Sequence, residues 1–177
     1  CGYKDDARVE ALVQYLVLDG LETGWRCKYN NELACAWGCA RALWGFASRP
    51  ETERSADVRQ VIDESIDWLL NAHSLVAADY PTPGRIHPLW FRLNFPLFYQ
   101  ADILFVLRVL VALGRADHLG AVDALKWLAD RRMANGRWRG ANPYRRRTWA
   151  GIADGADTDR WATLYALHVL NSARMIR

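Results

Sequence analysis

Apolar residues recur along this chain in two alternating patterns. In "DARVEALVQYLVLD", "SADVRQVIDESIDWLLNA" and "AVDALKWLADRRM" they fall three and four positions apart with charges between them, the spacing of a helix that buries one stripe. In "LACAWGCARALWGFA" and "QADILFVLRVLVALG" they occupy nearly the whole circumference, and a helix that is apolar all round is a buried one. The alternation predicts two layers, with the more apolar helices inside and the amphipathic ones shielding them from water. Gly- and Pro-containing loops such as "GLETGWRCKYNNE", "DYPTPGRIHPLWFRLNFP" and "NGRWRGANPYRRRTWAGIADGAD" separate the helices.

The patterns repeat. Val13-Gln14-Tyr15-Leu16 returns as Ile66-Asp67-Trp68-Leu69 and as Leu125-Lys126-Trp127-Leu128, at spacings of 53 and 59 residues. Each is followed by a second signature, Ala40-Arg41-Ala42-Leu43, Leu107-Arg108-Val109-Leu110 and Leu167-His168-Val169-Leu170. Each repeat is therefore two helices, and the chain reads as an all-α domain of three hairpins over about 6–47, 56–114 and 117–173.

Composition narrows the classes. At 177 residues and 51% hydrophobic, the chain suits one domain with a sizeable core. A net charge of +3 does not point to nucleic acid or to a membrane surface. Arg108 interrupts the longest apolar run and no signal-peptide pattern opens the chain, so a soluble protein without a membrane span is expected. Cys1, Cys27, Cys35 and Cys39 form neither a CxxC pair nor a secreted disulfide framework, which favours reduced thiols and a cytoplasmic location. Nine Trp is a heavy load for this length, and large rings that are not all core line clefts or interfaces.

The stretch "WLADRRMANGRW", Trp127 to Trp138, resembles the QW repeat of squalene and oxidosqualene cyclases, and "YLVLDGLETGW", Tyr15 to Trp25, is a looser copy. An Arg fills the usual Gln position in the last repeat, and the middle repeat lacks Gly-x-Trp. The outer-then-inner helix order is similar to the α/α toroid shared by those cyclases and by protein prenyltransferase β subunits. "HPLWFRLNFPLFYQADIL" also resembles a group of bacterial toroid proteins of no established activity. The resemblance implies an α/α toroid of helical hairpins. The chain opens where a preceding inner helix would just have ended, without an atypical cap, so an incomplete toroid is expected: the C-terminal part of a longer one, or one completed by a second copy or chain. The alternative is a compact six-helix domain that closes on itself.

The resemblance implies two chemistries. Class II terpene cyclases carry an acidic DxDD motif at the start of an inner helix, and "DTDRWATLYAL" puts Asp157 and Asp159 in a similar place, with Arg160 where the last Asp would stand. Asp159 is then the candidate acid, although an adjacent Arg holding it ionised works against alkene protonation. The plainer reading is a pair of carboxylates favourable to a helix N-terminus. Protein prenyltransferases bind zinc through Asp, Cys and His; Cys35 matches their Cys, but Leu33 stands where the Asp would be and Trp161 near where the His would come. No metal and no cofactor are expected.

Aligning the inner helices on Leu43, Leu110 and Leu170 places Cys35, Asp102 and Ala162 at one position, eight residues earlier and near each helix start. A buried carboxylate gains from a helix N-terminus, but a lone ion costs several kcal/mol, so Arg41 or Arg108 is the expected partner. One reading makes Asp102 a cavity acid or base beside Tyr99 and Cys35, walled by Trp37, Phe95 and Trp161. The other makes it half of a structural ion pair. His87 reads as a loop anchor. The loop from Arg131 to Arg147 holds seven Arg with Trp138 and Tyr144 among them; such a set suits phosphates and stacked bases, but local ion pairs to Asp154, Asp157 and Asp159 are the simpler expectation. Nucleic acid is not the expected partner. Two functions follow: a terpenoid-cyclase-like cavity protein for an apolar or isoprenoid-like small molecule, with Asp102 or Asp159 as acid or base, or a non-catalytic helical-repeat scaffold for protein–protein interaction.

Overall fold

The computed structural model describes residues 3, 5–72, 81–82, 85–146 and 155–175. Cys1, His73, Arg147 and Asp154 lie outside them. In chain order the elements are α1 (Ala7–Leu18), β1 (Arg26–Cys27), β2 (Leu33–Ala34), α2 (Ala36–Ala47), α3 (Ala56–Asp67), β3 (Pro81–Thr82), β4 (Arg85–Ile86), α4 (Ile103–Ala112), α5 (Val122–Ala129) and α6 (Gly155–Ser172). The fold is mostly helical, and β1–β2 and β3–β4 are short antiparallel hairpins inside loops.

The apolar helices α2, α4 and α6 lie side by side with α4 in the middle, while α3 packs on α1 and α2, and α5 on α4 and α6. The sequence of α4, "ILFVLRVLVA", follows from that position: residues 103–107, Val109 and Leu110 are all buried, because α4 meets neighbours on several sides. By contrast α1 buries only Val17 among its residues. Helix starts are capped by side chains placed for the purpose, with Asp6 accepting from the Arg8 amide at 2.8 Å and Ser55 from the Val58 amide at 3.2 Å. Both α1 and α3 run on into one wider turn, Asp19–Thr23 and Trp68–Ala72, a shared feature that no residue pattern announces. Gly24, at φ 61°, ends the first of these in the left-handed region that glycine enters freely.

The Trp that closes each of these two stretches, Trp25 and Trp138, does matching work. Trp25 is 5% exposed and donates its indole N–H to Ser65 Oγ on α3 at 2.9 Å; Trp138 is fully buried and donates to the Leu128 carbonyl of α5 at 2.7 Å. Each ring thus ties the segment after an outer helix back to the outer layer while satisfying its own polar atom. At the two ends of the array apolar side chains face solvent: Leu12, Tyr15 and Leu18 on α1, and Trp161, Leu164 and Leu167 on α6. Among the described residues no helix is long and apolar enough to cross a membrane. Among the described residues Cys27, Cys35 and Cys39 form no disulfide.

Candidate functional site

Asp102 is 1% exposed and stands as the N-cap of α4. Its Oδ1 accepts from the Phe105 amide at 2.8 Å, and its Oδ2 accepts from the Asn94 amide at 2.7 Å and from Asn94 Nδ2 at 3.0 Å. The expected ion pair with Arg41 or Arg108 is therefore corrected. The carboxylate is held by three amide donors, and the two guanidiniums attract it without contacting it as a salt bridge. Desolvation raises its pKa to about 6, against the lowering effect of the Asn94 and Phe105 amides, the Asn94 side chain and Arg108. Asn94 was missed by sequence reasoning because it lies in the irregular loop before α4, where no periodicity marks it. Its side-chain amide also donates to the Leu89 and Arg92 carbonyls at 2.8 and 2.9 Å, and a backbone bridge pairs it with Ala141. Asn94 thus organises the loop around the carboxylate.

Beside this buried centre lies an open groove of about 780 Å³, bounded by the β1–β2 hairpin, the start of α2 and the loop before α4. Trp37 on α2 meets the His87 ring edge-on at 5.1 Å and the Tyr99 ring at 5.9 Å. Cys35, Arg41, Phe98 and Gln100 complete the wall. Cys35 is the N-cap of α2, its Sγ accepting from the Gly38 amide at 3.2 Å. Arg41 Nη2 donates to the Phe98 carbonyl and to the Gln100 carbonyl, the latter at 2.8 Å, fixing the loop against α2. His87 does anchor its loop, Nδ1 accepting from the Leu89 amide at 3.2 Å, but it also forms part of the groove wall, and burial lowers its pKa.

The expected binding set divides in two. Trp37, Cys35 and Tyr99 come together in the groove, with Asp102 buried behind Gln100 in sequence and not among the lining residues. Phe95 and Trp161 stack on each other at 4.9 Å and continue to Tyr165 of α6. From there an unbroken line of rings and guanidiniums crosses the inner helices: Arg108 over Tyr165 at 3.5 Å and over Trp44 at 5.3 Å, Trp44 against Phe105 at 5.6 Å, and Arg41 over Phe105 at 4.3 Å. Cation–ring stacking of this kind lets a guanidinium lie half-buried.

Asp159 accepts from the Gly140 amide at 2.7 Å, and Arg160 pairs with Asp157 at 3.1 Å instead of with Asp159. Asp159 thus fastens the preceding loop to α6, while Asp157 pairs with Arg160 within the helix. In the Arg-rich loop, Arg131 lies over Trp127 at 3.9 Å and Arg132 over Trp138 at 5.6 Å, so these two guanidiniums rest on rings. Among the described residues no cluster of three or more His, Cys, Asp or Glu is placed to hold a metal ion. No family model, curated protein or solved structure matches the chain.

Proposed function

We propose that this chain is a helical-hairpin protein of the terpenoid-cyclase-like α/α-toroid class, and that it binds an apolar or isoprenoid-like small molecule in the groove between α2 and the loop before α4. The observation that carries this reading is the wall itself, in which Trp37, His87, Phe98 and Tyr99 converge on a space of about 780 Å³, within the size range of small-molecule sites. Tyr99 meets the ligand directly. Asp102, whose carboxyl titrates at about 6, does not line the groove, so the reading is one of binding and assigns no acid step to it. Asp159 is engaged by the Gly140 amide and serves the fold.

The test is fluorescence titration with the neutral probe N-phenyl-1-naphthylamine. Trp37→Ala and Tyr99→Ala should each weaken binding by about tenfold, the scale of one lost ring contact. Unchanged affinity in both variants, with native circular dichroism, sinks the reading. A scaffold role is favoured by a separate observation, the apolar faces exposed on α1 and α6. It predicts that Tyr15→Glu abolishes self-association or partner binding in sedimentation velocity while leaving probe binding intact.

A further inference from the structure

Two cations share the aromatic line beside the groove. Arg41 and Arg108 are both half-buried, and among the described residues neither forms a salt bridge with a carboxylate. Arg41 Nε is buried and has no hydrogen-bond partner. Burial lowers the pKa of both, Asp102 attracts both, and Arg108 repels Arg41. The one carboxylate that both guanidiniums feel is already engaged by three amide hydrogen bonds. Two half-buried positive charges therefore face one negative charge, and surplus charge out of water is costly unless a counter-charge arrives. The flat rings of Trp44, Phe105 and Tyr165 hold the guanidinium planes but supply no anion.

We propose that the missing counter-charge comes with the ligand: the molecule bound in the groove is an amphipathic organic anion, its apolar body against Trp37 and Tyr99 and its anionic headgroup on the guanidinium of Arg41, whose side chain lines the groove and whose buried Nε has no hydrogen-bond partner. This rests on the groove being a binding site, and it adds the charge of what binds. Arg41 belongs both to the groove wall and to the aromatic line, so the two parts of one ligand meet there. A guanidinium fork recognises a carboxylate, sulfonate or phosphate oxygen pair.

Two probes with one ring system separate the parts: 8-anilinonaphthalene-1-sulfonate carries the anion, and N-phenyl-1-naphthylamine does not. The wild-type chain should bind the sulfonate at least about tenfold more tightly than the neutral amine, as expected for a charge-assisted contact. In Arg41→Gln the sulfonate should lose at least about tenfold more affinity than the amine does. Arg41→Lys, which keeps the charge but not the fork, gives a second variant should Arg41→Gln fail to fold, and it should lose part of the preference for the sulfonate. If the amine binds and the sulfonate gains nothing from Arg41, this inference is overturned and the groove reading stands. If neither probe binds, the groove reading fails and the inference falls with it.

Discussion

Replacing Asp102 with Asn removes a buried charge while keeping the shape of the N-cap. The carboxyl titrates at about 6 in the fold against an ordinary 3.8, because desolvation outweighs three amide donors and the pull of Arg108. That difference corresponds to about 3 kcal/mol. The folded carboxyl holds its proton more tightly than the unfolded one, so between pH 3.8 and about 6 the folded state carries more protons, and stability falls as pH rises through that window. Asp102→Asn has no such titration. Urea unfolding of both proteins at about pH 4 and again at about pH 7.5 should therefore show the wild type losing about 2.5 kcal/mol relative to the variant, because pH 4 lies just above the unfolded pKa and the full difference is not yet developed there. A difference that stays flat, or that moves in favour of the wild type as pH rises, refutes the reasoning. It would mean that Arg41, Arg108 and the amides stabilise the carboxylate by more than burial costs it.

The loop around that carboxylate gives a second test. Asn94→Ala deletes donors to Asp102 and to the Leu89 and Arg92 carbonyls, and should destabilise by about 2–4 kcal/mol in urea unfolding. It should also raise the Asp102 pKa further, since a donor to the charged form is lost. Gly140→Ala should cost about 2 kcal/mol or more and lower Tm, because a Cβ there would overlap the Thr158 carbonyl of α6; a Tm equal to the parent's would show that loop and helix can separate freely.

Helical periodicity was legible: among the described residues six α-helices form where the apolar spacing stands, with Tyr15 in α1, Trp127 in α5, and Leu43, Leu110 and Leu170 in α2, α4 and α6, while Trp68 falls in the wide turn just after α3. The wide turns closing α1 and α3 were not legible, since a π turn needs no distinctive residue. The alignment that put Cys35, Asp102 and Ala162 at equivalent helix starts was right for Cys35 and Asp102, which are both N-caps, and wrong for Ala162, which lies well inside α6. It was wrong about the partner of Asp102, because an Arg is conspicuous in an apolar helix whereas Asn94 sits in a loop whose path depends on tertiary contacts with Ala141. Arg41 and Arg108 lie against rings, a placement that composition hints at through the aromatic load but does not locate. Trp37 and Phe95 looked like one wall in sequence and belong to two surfaces in space.

The central claim is that the groove beside α2 takes a small apolar body. Its most direct test is a proton–nitrogen correlation spectrum of the folded chain, following the nine Trp indole resonances during titration with N-phenyl-1-naphthylamine. The account predicts saturable shifts at the Trp37 indole, with the buried indoles of Trp90 and Trp138 unmoved. Shifts confined to Trp44 and Trp161 on the neighbouring face, or no saturable shift at Trp37, would contradict it.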